Sequence, residues 1–169
     1  MHDFAELLDI ESAAALIAGE RDPVANAANL AAALYHGCPA LNWAGFYFLR
    51  GSELVLGPFQ GKPACVRIAL GRGVCGTAAA ERRTLVVDDV HAFPGHIACD
   101  AASRSEIVVP LVAGGGVIGV LDADSPQPAR FGPSERALFE QIAALYIRGS
   151  DLSGVTELQP PVPPALPPV

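Results

Sequence analysis

Between Phe4 and Gly19 the apolar positions Phe4, Leu7, Leu8, Ala15 and Leu16 recur at helical spacing, which predicts an amphipathic helix. Asp22-Pro23 starts a second one, expected through Leu34, because Asp22 is a good N-cap and Pro23 suits the first helical position. From Asn42 the period shortens. The runs NWAGFYFL, ELVLGPF, ACVRIAL, TLVVDDV, EIVVPLVA and VIGVLDAD, punctuated by Gly or Asp, read as five or six mainly antiparallel strands. A short helix over Val74 to Arg82 interrupts them, and an amphipathic helix over Pro133 to Arg148 follows, with Leu138, Ile142 and Leu145 on one face. Helices, strands, then helix is the order of an α+β fold in which helices cover one face of an antiparallel sheet.

The length of 169 residues, half of them apolar, fits one domain with one core. We expect that domain over residues 1–150. Residues 151–169 end in QPPVPPALPPV and are expected to form a polyproline-like disordered tail. The formal charge of −7, with no Lys/Arg stripe, offers no footprint for nucleic acid or an anionic membrane. No basic segment opens the N-terminus as a secretory signal would require, and the uncharged stretch Ile107 to Leu121 is broken by Pro110 and Gly114-Gly115-Gly116. A cytoplasmic protein without a membrane span is expected, and its four cysteines are then free, catalytic or transiently bridged.

Candidate chemistry collects around one hairpin. A three-residue loop at Gly114 to Gly116 would pair residues whose numbers sum to 230, placing Glu106 opposite Asp124. Side-chain alternation puts Asp122 and Asp124 on one face, with Glu106 beside them. Three carboxylates crowded in a partly apolar site raise one another's pKa, so one can donate a proton while another accepts; solvated acids ending a strand are the plainer alternative.

Cys65, Cys75 and Cys99 lie in one short stretch, and the nine and twenty-three residues between them hold no C-x-x-C or H-x-x-x-H pair, so metal is the weaker explanation. Redox or nucleophilic chemistry remains, set against a role as small buried apolar side chains. In the aromatic run, Trp43, Gly45 and Tyr47 share one face and Ala44, Phe46 and Phe48 the other; the gap at Gly45 suits a pocket wall or a packed sheet face. Gly71 to Thr77 is glycine-rich before a helix but lacks a P-loop lysine, and its amides suit a substrate carboxylate. His91 and His96 flank a loop where either could lower a thiol pKa, surface positions being the plainer reading.

Across Asn42 to Ser125, the blocks NWAGFYF, GKPACVRIALGRGVCGTAAAE, DVHAFPGHIACDAASRSEIVVPL and GVIGVLDADSP resemble the free methionine-(R)-sulfoxide reductase family of stand-alone GAF-domain enzymes. The resemblance implies a six-stranded antiparallel GAF sheet packed with helices and action on free methionine sulfoxide of R configuration. It further implies Cys99 as the catalytic thiol, Cys65 as the main resolving cysteine and Cys75 as a second. Trp43 and Tyr47 match aromatic pocket positions, and Glu106, Asp122 and Asp124 the acidic ones, with Glu106 or an aspartate supplying the proton. Thioredoxin is the expected external reductant, with no bound cofactor or metal, and a homodimer is left open. Cys38 lies outside every matching block. The competing expectation is a GAF module that senses a small metabolite without turning it over.

Overall fold

The computed structural model describes residues 8–97 and 99–156. Helix α1, Ile10–Leu16, is capped by the Asp9 carboxylate, which accepts from the Ser12 amide. It is shorter than the Phe4 to Gly19 span expected, part of which lies outside the described residues. Helix α2, Pro23–Gly37, starts as the sequence predicts: Asp22 accepts from the amides of Val24 and Ala25, and Pro23 occupies the first turn. Strands β1 (Trp43–Arg50), β2 (Glu53–Gly61) and β3 (Arg67–Ala69) follow, then helix α3 (Gly73–Glu81) and strand β4 (Leu85–Val87). A single 3-10 turn, Val90–Ala92, precedes β5 (Ser105–Ala113) and β6 (Gly116–Ser125). Helix α4, Pro133–Gly149, and the short α5, Ser153–Thr156, close the described chain.

The strands form a six-stranded antiparallel sheet in the order β3-β2-β1-β6-β5-β4. The long strands β1 and β6 lie at its centre because their alternating side chains serve two cores. On one face Ala44, Phe46, Phe48, Ile107, Val109, Leu121 and Ala123 pack against α1, α2 and α4. Burying each of the larger ones contributes on the order of 2 kcal/mol. The other face is covered too, a difference from the one-sided packing expected: Trp43, Tyr47, Val108 and Val120 lie under α3, through Val74, Cys75, Ala78 and Ala79. Helix α3 is short and mostly small residues, so its sequence carries no strong one-sided stripe that would announce this role.

The hairpin register also arises differently from the expectation. Its turn is two residues, Gly114 and Gly115, both with positive φ (58° and 81°), a geometry that glycine adopts without steric cost. Near the turn the paired numbers therefore sum to one less than expected, as in Ala113 opposite Gly116. A β-bulge then inserts Ile118 as an extra residue between the pairs Val112–Val117 and Leu111–Gly119, and the expected register holds from there to Ser105–Ser125.

Packing continues past the boundary expected at residue 150. The Asp151 amide donates to the Arg21 carbonyl (2.7 Å), and Val155 is 8% exposed within the core. The proline-rich residues 157–169 lie outside the described residues. Among those described, no helix is long and apolar enough to cross a membrane.

Candidate active site

Three central strands build the floor of one pocket. Asp124 on β6 sits between Trp43 on β1 and Glu106 on β5, and Asp122, two residues back, sits between Gly45 and Val108. Because every second residue shares a face, all three carboxyls and Trp43 emerge on the α3 side. The gap expected at Gly45 is filled by the neighbouring aromatic: a Cβ there would come within 2.6 Å of the Trp43 ring. Trp43 is thereby clamped flat between Tyr47 (centroids 5.8 Å apart) and Phe59 (5.4 Å).

Helix α3 closes the pocket from above. Its N-cap, Arg72, makes no side-chain cap bond, and its first residues Gly73, Val74 and Cys75 line the cavity. The first amides of a helix have no intrahelical acceptor, which leaves them for an anion. Cys75 points inward, its Sγ 3.7 Å from Glu106 Oε1. The thiol and one oxygen each of Glu106 and Asp122 lie within 4.8 Å of one another, a spacing that could also hold a cation.

Two loops form the rim. Residues 62–66 carry Lys62 and Cys65, and the segment after the 3-10 turn carries His96, Cys99, Asp100 and Ser103. A disulfide joins Cys65 to exposed Cys99, with 5.6 Å between their Cα atoms, and Lys62 pairs with Asp100 at 3.5 Å. Asn42, just before β1, donates to Asp100 (3.2 Å) and to Ser103 Oγ (3.1 Å), and Ser103 in turn hydrogen-bonds Asp124. The Tyr47 hydroxyl donates to the Cys65 carbonyl at 3.0 Å, tying that loop to the sheet. The pocket thus gathers Cys75, Cys99, Trp43, Tyr47, Glu106, Asp122 and Asp124, and Cys65 joins it at the rim through its bridge to Cys99. Lys62, Asp100, Ser103 and Asn42 were not singled out. All four stand within the matching blocks, Asn42 opening NWAGFYF, but only their meeting across the rim reveals their part. His91 is exposed, as its plainer reading had it, whereas His96 reaches the rim and its pKa is lowered by burial and then by His91. Cys38 lies in the opposite core, where burial raises its pKa.

Burial sets the protonation of the floor. Glu106 and Asp122, 6% and 5% exposed, are pushed well above the usual carboxyl range by burial first and by neighbouring carboxylates second. Burial pushes Asp124 up to about 7, against the opposing pull of its Ser103 hydrogen bond. One Asp122 oxygen, Oδ1, is buried without a hydrogen-bond partner. Such a floor holds protons that a solvated carboxyl would lose.

That storage has a measurable cost. An unfolded Asp124 ionises near 3.8 and the folded one near 7, so between these pH values the folded state binds more protons, and stability falls as pH rises. The loss amounts to a few kcal/mol in order of magnitude. Asp124→Asn should therefore raise the melting temperature at pH 8 by several degrees, with a much smaller gain at pH 5. Equal shifts at both pH values would show that Asp124 carries no raised pKa.

Known proteins share this fold and much of this sequence. The GAF domain model matches residues 3–146. Protein YtsP of Bacillus subtilis is 56% identical over 131 residues, covering 76% of this chain and 80% of its own. The free methionine-R-sulfoxide reductase of Escherichia coli is 55% identical over 130 residues, covering 77% of this chain and 79% of its own. The X-ray structure of free methionine-R-sulfoxide reductase from Neisseria meningitidis in complex with its substrate is 47% identical, with a TM-score of 0.80 over 83% of this chain and 84% of that one. A family model spanning most of the chain and relatives this similar, on a sheet that gathers the expected residues in one pocket, place the chain in the free methionine-R-sulfoxide reductase family of GAF-domain proteins.

Proposed function

We propose that this chain reduces free methionine-R-sulfoxide to methionine. The observation that carries the reading is the placement of a bridged pair, Cys65 and Cys99, at the rim of a pocket floored by carboxyls that hold protons. The Cys99 thiolate attacks the sulfoxide sulfur while a floor carboxylic acid, Glu106 in our assignment, protonates the departing oxygen. The oxygen, now as water, bonds to the Cys99 sulfur as the new Cys99–methionine S–S bond breaks and a proton is lost, so methionine leaves and Cys99 carries the oxygen as a sulfenic acid. Cys65 then attacks that sulfur and water departs, so two thiols become one disulfide as one sulfoxide becomes a sulfide. Thioredoxin, as an external dithiol, exchanges with the bridge and restores both thiols. The electrons come from sulfur throughout, so the cycle calls for no bound cofactor, and it suits a reducing cytoplasm.

The pocket also supplies partners for each part of a free amino acid. Trp43, which lines the pocket beside Tyr47, packs against the S-methyl group. Asp122 and Asp124 receive the ammonium, which gives the unpaired Asp122 oxygen a partner. The carboxylate meets the open amides of α3, with Lys62 as the lysine or arginine side chain lining the pocket. A peptide-bound residue, lacking both charged termini, loses these contacts.

The test is thioredoxin-coupled NADPH oxidation with free methionine-R-sulfoxide, the free S form and a peptide-bound sulfoxide, compared separately. Turnover of the free R form with the other two at least about a hundredfold slower is expected, because missing charged partners leave buried groups unpaired. No turnover of any of the three by fully reduced protein would replace this reading with that of a ligand-sensing GAF module.

A further inference from the structure

The proposed cycle consumes Cys65 and Cys99 and leaves Cys75 unused, although Cys75 faces the same pocket. We infer that Cys75 is a positioning residue for the acid: its S–H donates to Oε1 of Glu106 and so leaves the carboxyl proton on Oε2. The inference rests on the acid role given to Glu106 above.

Position and surroundings both favour this role over that of a second resolving thiol. Cys75 lies in the first turn of α3, 4% exposed, with its Sγ 3.7 Å from Glu106 Oε1. Helix α3 packs on β5 and β6 through Val74, Ala78 and Ala79, so the Cys75 backbone is held in place. Cys99, by contrast, is exposed and lies within bonding reach of Cys65, which sits on a loop without regular structure. A resolving cysteine must travel to the sulfenic sulfur and react as a thiolate. Burial first, and then the neighbouring carboxyls of Asp122, Glu106 and Asp124, push the Cys75 thiol well above its ordinary pKa and hold it neutral. A neutral thiol is an S–H donor; it faces two buried carboxyls, Glu106 and Asp122, and Glu106 Oε1 is the acceptor it meets at 3.7 Å.

The donor also sorts the two oxygens of the acid. A protonated carboxyl has one hydroxyl oxygen and one carbonyl oxygen, and an incoming S–H is accepted best by the carbonyl oxygen. Fixing Oε1 as acceptor fixes which oxygen carries the acidic proton. Nothing is oxidised or reduced at Cys75 in this role.

The experiment compares Cys75→Ala and Cys75→Ser in single-turnover methionine formation from free methionine-R-sulfoxide, with the Cys65–Cys99 disulfide counted afterwards. Loss of the donor in Cys75→Ala should slow the first turnover by about tenfold, with KM changed less than about threefold, and the hydroxyl in Cys75→Ser should restore most of the rate. The Cys65–Cys99 bridge should form in full in both. Wild-type first-turnover rates in both variants would reduce Cys75 to a packing residue and overturn the inference. A normal first turnover followed by failure to form the bridge would make it a resolving thiol instead.

A second readout does not depend on turnover. The S–H stretching band that disappears in Cys75→Ala, measured by infrared difference on reduced protein, should move to higher wavenumber in Glu106→Ala as the thiol loses its acceptor. An unmoved band overturns the inference. A shifted band together with a wild-type rate in Glu106→Gln would keep the hydrogen bond and remove the acid role on which the inference stands, so the two failures are distinguishable.

Discussion

Cys99→Ser is expected to abolish methionine formation, by at least about a thousandfold, because a serine oxygen cannot supply what the reaction takes from sulfur. The sulfoxide gives up its oxygen only if another atom accepts it with a change of oxidation state, and a hydroxyl has no counterpart to the sulfenic acid. Cys99 is exposed at the rim, away from the packed floor, so the substitution should leave the fold and the pocket intact. The measurement is methionine released by reduced protein in one turnover, with melting temperature in the presence of substrate as the control for binding. Methionine formed at an appreciable rate by the serine variant would mean that another thiol is the nucleophile.

Glu106→Gln carries the second large effect. The amide keeps the shape of the carboxyl and a carbonyl oxygen for the Cys75 donor, but it has no acidic proton to give the departing oxygen. Removing a general acid of this kind costs about a hundredfold to ten-thousandfold in the chemical step. The effect should appear in the first-turnover rate far more than in KM, since in the proposed binding mode the ammonium would still meet Asp122 and Asp124. In the unsubstituted protein the acid contribution is present while the carboxyl is protonated and is lost as pH rises through its raised folded pKa. The variant should lose that alkaline limb. A wild-type first-turnover rate in Glu106→Gln and also in Asp124→Asn would remove both from proton delivery.

Much of this site can be read before any coordinates, because it is built on strands. Alternation alone assigns Trp43 and Tyr47 to one face and Phe46 and Phe48 to the other, and the structure divides them in that way between its two cores. Glu106 opposite Asp124 follows from the hairpin. What escapes is whatever depends on contacts between distant loops. Asn42 reaches Asp100 and Ser103 across 58 and 61 residues, and no local pattern encodes such a meeting. The same holds for Cys75 against Glu106, 31 residues apart, and for the Trp43 ring that fills the space over Gly45. Helix α3 escaped as a cover for the second face because small residues pack closely without the broad apolar stripe that marks α4.

The bulge at Ile118 bears on how this hairpin can change over generations. A two-residue turn with one bulged residue and a three-residue turn with none bring the same carboxyl pair into line, since each adds one residue to the β6 side between turn and site. The tip can therefore gain or lose a residue while the bulge absorbs the difference, whereas the same change between Gly119 and Asp124 would swing the aspartates into the apolar core. Insertions and deletions tolerated among relatives should cluster at the tip for that reason, leaving the stretch from Gly119 onward fixed in length.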